Sequence, residues 1–263
     1  MRAGNAFSHV TAASLYGLPL PVYALDRNIV DVTSPSDITP PYGRRVRGHR
    51  LARERWRTRE LVHFDTETGQ LFALPVLAPE VVWAQLATVL DPADVVAIGD
   101  AIVAGETPLG DLVSLQSAVR AFARTRGSTV LARAIGRVRV GSRSRTESLL
   151  RQMMETSGLP SPDLNVPVLD GAGAEIAVAD FVWPTFRTLV EYEGDGHRSR
   201  GKFRSDISRF EAYADNGWSA LRAHADDLFV DPNPFLGQLY RRLQSNGWHP
   251  PRSKSRQIAP ARR

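Results

Sequence analysis

The sequence contains no cysteine. That excludes a disulfide framework, a thiolate zinc site, an iron–sulfur cluster and a cysteine nucleophile. Lysine is nearly absent as well: of 33 lysines and arginines, only Lys202 and Lys254 are lysine. The arginine excess says little about function by itself. No stretch reaches ~18 apolar residues, so nothing reads as a membrane span. The opening MRAGNAFSHV lacks the apolar core of a signal peptide, which fits a cytoplasmic protein. There is no Gly-rich phosphate loop, G-x-S-x-G or H-E-x-x-H, so a small-molecule enzyme has little support.

What is present is ordinary globular material, 43% hydrophobic and 23% charged over 263 residues. Such a length suits one large domain or two small ones. The net charge of +5 is unevenly spread. Residues 1–142 carry 16 basic and 13 acidic side chains, residues 143–249 carry 12 and 15, and the last 14 carry five basic and none acidic. The second half is therefore acidic until its tail. A basic total permits nucleic-acid binding without establishing it.

Residues 8–17 predict a helix, with Ser8 as N-cap and Gly17 as its stop. Short β-branched runs follow: VYAL, IVDVTS, RVRGHRL and, at 71–77, LFALPVL. From Pro79 the spacing turns helical, in PEVVWAQLATVL, PADVVAIGDAIVAG, LGDLVSLQSAVRAFARTRG and STVLARAIGR. Residues 1–140 thus predict an α+β domain, strands followed by helices. Residues 138–145 read as a linker. Residues 141–249 predict a second, α/β domain: helix 144–157, strands 166–169, 175–183 and 188–193, helix 199–216, strand 218–223 and helix 232–246. Residues 250–263 read as a basic, disordered tail.

The segment EIAVADFVWPTFRTLVEYEGDGH, residues 175–197, carries the chemistry. Period two puts Ile176, Val178, Asp180 and Val182 on one strand face. A turn over Pro184–Arg187 pairs Trp183 with Thr188 and sets Asp180 opposite Glu191, with Glu193 on the same face. Like charges so opposed repel. A hard cation, Mg²⁺ or Mn²⁺, balances three such carboxylates; an arginine partner, with a simple turn at Glu193–Gly196, is the other reading. Glu147 also has two readings. Ser144-Arg-Thr-Glu147 fits a capping box, Glu147 bonding back to the N-cap amide. Glu147 equally shares a helix face with Leu150 and Met154, which points it at the sheet.

Residues 144–245 resemble the restriction-endonuclease-like, or PD-(D/E)XK, fold. They are similar in particular to the domain-of-unknown-function 559 family, near the very-short-patch repair endonucleases. The matching pieces are SRTESLLRQMMETSGLP, VADFVWP, LVEYEGDGHR, RSDISRFEAYADNGW and WSALR. The resemblance implies a three-layer α/β domain and a metal-dependent DNA endonuclease. It implies Asp180 and Glu191 as metal ligands, with the Tyr192 carbonyl nearby. It implies Glu147 as the acidic residue that orders water or a second metal. Glu193 takes the position where many nucleases carry lysine. His197 takes the role of general acid or water-orienting base, although Gly196 replaces the first of two successive histidines. SHVTAASLYGLPLP, DVTSP and VRGHRL loosely resemble the body of abortive-infection type IV antitoxins, without the winged helix that usually precedes it.

The basic residues offer DNA contacts. The helix 199–216 buries Phe203, Ile207, Phe210 and Ala214 by its spacing. Its other faces carry Arg200, Lys202, Arg204 and Arg209, either phosphate grips or a solvated face with pairs such as Asp206–Arg209. Arg222 on the last strand either joins the site or compensates its carboxylates. Residues 44–59 hold eight arginines, among them Arg44, Arg45, Arg47 and Arg50, around Trp56. They form either a track for a nucleic-acid backbone with Trp56 stacking, or a polar hairpin paired with Glu54 and Glu60. Two functions remain: a metal-dependent nuclease, or a non-catalytic, antitoxin-like regulator with a partner protein in a defence or toxin–antitoxin system.

Overall fold

The computed structural model describes residues 4–26, 28–194 and 200–250; for 200–206 it describes the backbone alone. The described chain is mixed α/β, with nine helices and two mixed sheets. It divides into two compact units, Met1–Val140 and Gly141–Arg263. No described helix is long and apolar enough to cross a membrane.

In the first unit the strands are β1 (Ala6–Phe7), β2 (Val30–Pro35), β3 (Val46–Leu51), β4 (Thr58–Phe64) and β5 (Leu71–Leu77). They lie in the order β3-β2-β1-β5-β4. The helices are α1 (His9–Leu15), α2 (Pro79–Leu86), α3 (Pro92–Val103), α4 (Leu112–Ala121) and α5 (Ser128–Ile135). α2 is apolar on nearly every side and forms the centre of the core, as an all-round hydrophobic helix must. Its Trp83 is fully buried, and the indole N–H donates to the Val95 carbonyl at 2.8 Å.

Three expectations for this unit change. VYAL is no strand: Val22–Ala24 form a 3-10 turn after Pro21. Ser8 stands at the α1 N-cap position, but its hydroxyl caps no amide and lies 3.1 Å from His9 Nδ1. The arginine run is neither a hairpin nor a continuous track. β3 pairs in parallel with β2 and β4 antiparallel with β5, so the run is divided between opposite edges of the sheet. Trp56 packs against the core instead of standing free to stack on a base.

The second unit contains α6 (Arg145–Thr156), β6 (Asp163–Leu169), β7 (Glu175–Trp183), β8 (Thr188–Glu193), α7 (Arg200–Asp215), β9 (Ser219–His224), α8 (Ala225–Phe229) and α9 (Asn233–Ser245). The sheet order is β6-β7-β8-β9. The first three strands are antiparallel and β9 is parallel to β8, which requires the crossover through α7. Alternate residues feed two separate cores. Phe181, Trp183, Val190 and Leu221 pack with α6 and α9. Val182, Leu189 and Ala220 pack with Tyr213 and Phe210 of α7. The unit is thus three layers, helix–sheet–helix. β8 is covered on both faces, and Thr188 to Glu191 are all buried.

α7 is rotated from its expected setting. Tyr213 is fully buried, whereas Ile207 is 39% exposed and Ala214 is exposed. The buried stripe therefore runs through Phe210 and Tyr213. Phe203 lies outside the described side chains.

Candidate functional site

The site lies where β7 and β8 part. Their pairing runs Trp183↔Thr188, Val182↔Leu189, Phe181↔Val190, and ends there. Beyond it β8 stays with β9, through Glu191↔Arg222, Tyr192↔Ala223 and Glu193↔His224. The expected turn over Pro184–Arg187 is present, closed by Arg187 at φ +40°. The expected face-to-face pairing of Asp180 with Glu191 is not. Instead the Asp180 carboxylate fills the wedge between the strands, and its Oδ2 accepts the Tyr192 backbone N–H at 2.8 Å.

The strict alternation expected along β7 also fails. Val178 is 38% exposed, and Ala179 is buried in the same cluster as Val182. The cause is next door on β6. Asn165, between the pairs Leu164↔Phe181 and Val166↔Ala179, adopts the left-handed region at φ +50°. That breaks the pleat beside Asp180.

Glu147 meets its expected capping role only in part. Ser144 caps α6, its Oγ accepting from Glu147 N at 3.1 Å. The Glu147 carboxylate does not return to the Ser144 amide. It accepts from Ser144 Oγ at 2.9 Å, from the Arg143 amide at 2.9 Å and from Asn165 Nδ2 at 2.8 Å. Asn165 therefore holds Glu147 toward the sheet, close enough to act on Asp180 electrostatically. Burial pushes the Asp180 carboxyl above the usual carboxylate range, and the negative Glu147 pushes it further up. The Tyr192 N–H, Arg209 and Arg143 pull the other way. Among the described residues Asp180 has no ion-pair partner, and its hydrogen bond comes from that amide.

Glu191 and Glu193 are balanced differently. Glu191 is only 7% exposed. Its Oε2 accepts from Arg209 Nη2 at 2.6 Å, and its Oε1 from the Tyr213 hydroxyl at 2.8 Å. Burial, reinforced by Glu191, drives the Tyr213 hydroxyl pKa far above its ordinary value of 10.0. Glu193 pairs with Arg222 Nε at 3.0 Å and lies 3.6 Å from His224 Nδ1. The Arg222 guanidinium also sits over the Phe210 ring, 4.0 Å from its centroid. So arginines balance the second and third carboxylates. Among the described residues, the four acids do not supply three ligand atoms within 4.8 Å of one another.

Arg209 pairs with Glu191 rather than standing on a solvated face. Asn165, Tyr213 and His224 are not among the expected site residues. Arg209 and Tyr213 carry a faint signal, being four residues apart on one helix face. Asn165 carries none, since its backbone conformation brings it to Glu147. His197 lies outside the described residues, as do the side chains of Arg200, Lys202 and Arg204. Arg44, Arg45, Arg47 and Arg50 are exposed, on and just before the β3 edge of the first unit.

Asp180, crowded by Glu147 and without an ion-pair partner among the described residues, is the carboxylate of this site whose charge is balanced least directly. No protein-family model matches this chain, and no curated protein matches it either.

Proposed function

We propose that the Gly141–Arg263 unit is a nuclease module of the PD-(D/E)XK type that hydrolyses phosphodiester bonds in DNA with Mg²⁺ or Mn²⁺. The observation that carries this reading is Asp180. It is a half-buried carboxylate set in the β7–β8 wedge beside Glu147, with no cationic partner among the described residues. The element order α6-β6-β7-β8-α7-β9 supports it: Asp180 is on β7, Glu191 on β8 and Glu147 on α6, the order that the resemblance implies.

Asp180, Glu191 and the Tyr192 carbonyl would hold the ion. Once bound, the ion supplies an activated water and charge stabilisation for the attacked phosphate. The chain's own residues set the rest. The Tyr192 amide fixes the Asp180 carboxylate, and Asn165 and the α6 N-terminus fix Glu147. Arg209 and Tyr213 position Glu191. Glu193, bound to Arg222, cannot take the charge-stabilising part that a lysine plays there.

A second reading rests on Glu191. Both of its oxygens are already engaged, which favours a non-catalytic scaffold that binds DNA or a partner protein of a defence or toxin–antitoxin system. Cleavage of plasmid and single-stranded DNA by wild type and Asp180→Asn, purified alike and given Mg²⁺ or Mn²⁺, separates the two. Cleavage by wild type alone supports the nuclease. Equal cleavage by both assigns the activity to a contaminant. Inactivity of both, with chelator-insensitive DNA or protein binding, favours the scaffold.

A further inference from the structure

Within the first unit three side chains from three separate elements meet. His9 begins α1, Asp31 lies on β2 and His49 on β3. β2 and β3 run parallel with Asp31↔Arg47 and Thr33↔His49 in register. Asp31 and His49 are thus diagonal neighbours on one face. His49 Nε2 lies 2.8 Å from Asp31 Oδ1, and the His9 and His49 rings stack with centroids 3.8 Å apart. One ligand atom from each of the three falls within 4.8 Å of the others.

The surroundings fit a metal-binding cluster. Asp31 is 4% exposed, so its carboxylate is committed to the interior. His9 Nδ1 lies 3.1 Å from the Oγ of Ser8, which is fully buried. That contact fixes the ring and leaves Nε2 for a ligand bond, as the outer partners of metal-bound histidines do. His9 is also held at φ +47°, a left-handed conformation that is strained for a residue with a side chain. Gln85 sustains it, its Oε1 accepting the His9 N–H at 3.2 Å. Arg47 reaches Asp31 only at 3.8 Å and is 59% exposed, too distant for a hydrogen bond.

We propose that His9, Asp31 and His49 form a binding site for a divalent transition-metal ion of the zinc type, with a fourth position open to water or a further ligand. Two imidazole nitrogens and one carboxylate oxygen are a donor set for Zn²⁺, and imidazole disfavours Mg²⁺. Bond lengths of roughly 2.0–2.2 Å require the two stacked rings to rotate so that their in-plane lone pairs converge on the ion. The site is independent of the carboxylates in the second unit.

The test uses the full-length protein, stripped with a chelator and titrated with Co²⁺ and Zn²⁺. Wild type is expected to bind Co²⁺ with visible d–d absorption, to release that Co²⁺ to Zn²⁺ and to unfold at higher temperature when loaded; the Zn²⁺-displaceable absorption is the signal followed in every variant. His49→Gln, whose amide can still bond Asp31, should lower affinity by more than ~100-fold, and Ser8→Ala by about 10–100-fold. Asp180→Asn should leave this binding unchanged. Absence of saturable Co²⁺ binding by wild type overturns the proposal, as does equal binding by wild type and a folded His49→Gln. Should that variant fail to fold, NMR of wild type decides. Co²⁺ must shift the His9 and His49 imidazole signals first among the six histidines. Shifts confined to His63, His224 or His249 overturn the assignment.

Discussion

Tyr213→Phe removes one oxygen and leaves the ring in place. In the wild type that hydroxyl is fully buried and donates to a carboxylate that is itself only 7% exposed. A hydrogen bond to a charged group is worth about 1.5–3 kcal/mol, and the buried Glu191 oxygen left behind keeps the loss near that range. For a unit of this size each kcal/mol lowers the midpoint by roughly 4 °C, so a fall of about 6–12 °C is expected. Thermal unfolding followed by calorimetry and circular dichroism measures it. Tyr240→Phe is the control: its ring packs on Trp248, but its hydroxyl makes no hydrogen bond to a described residue. The pH dependence gives a second readout. In the folded protein the Tyr213 hydroxyl holds its proton well beyond pH 10, whereas in the unfolded chain it ionises near 10. Its contribution is therefore complete below pH 10 and is lost as pH rises above that value. Tyr213→Phe should make the alkaline loss of stability shallower. A midpoint change no larger than that of Tyr240→Phe, together with an unchanged alkaline slope, would refute the Glu191 clamp.

Other outcomes follow from the same contacts. Asp180→Asn should raise the midpoint in divalent-free buffer, because it removes a half-buried charge repelled by Glu147 while an amide oxygen can still accept the Tyr192 N–H; a fall contradicts the crowding. Ser144→Ala should cost about 1 kcal/mol in urea unfolding, through the lost α6 cap and one Glu147 contact. Gly48→Ala should cost about 1–3 kcal/mol, since an added Cβ would lie 2.2 Å from the Pro41 carbonyl oxygen, a backbone atom; an unchanged urea midpoint contradicts that close approach.

The second unit was readable because its signals are local. β-branched runs, the Ser144 cap and the Pro184–Arg187 turn set β7, β8 and α6 within a residue or so at each end. The Trp183↔Thr188 register followed from turn length alone. Asp180 was picked out by its apolar neighbours, but its contact was not. Periodicity cannot foresee that β7 and β8 separate after Phe181 and Val190, or that Asn165 turns left-handed. The buried stripe of α7 departs from its apolar spacing because Tyr213 is amphipathic, and its hydroxyl has a buried partner 22 residues away. The first unit was less legible. β1 is two residues long, and β3 and β4 are mostly exposed edges with weak alternation. The His9–Asp31–His49 cluster depends on β2 lying between β1 and β3, and no spacing in the chain announces it.

The most direct measurement for the account is Mg²⁺-dependent nicking of supercoiled plasmid by three matched proteins: wild type, Asp180→Asn and His49→Gln. Wild type and His49→Gln are expected to cleave, a chelator to stop both, and Asp180→Asn not to cleave. Cleavage by Asp180→Asn at the wild-type rate, or no cleavage by any of the three, would contradict the assignment of nuclease chemistry to the β7–β8 wedge.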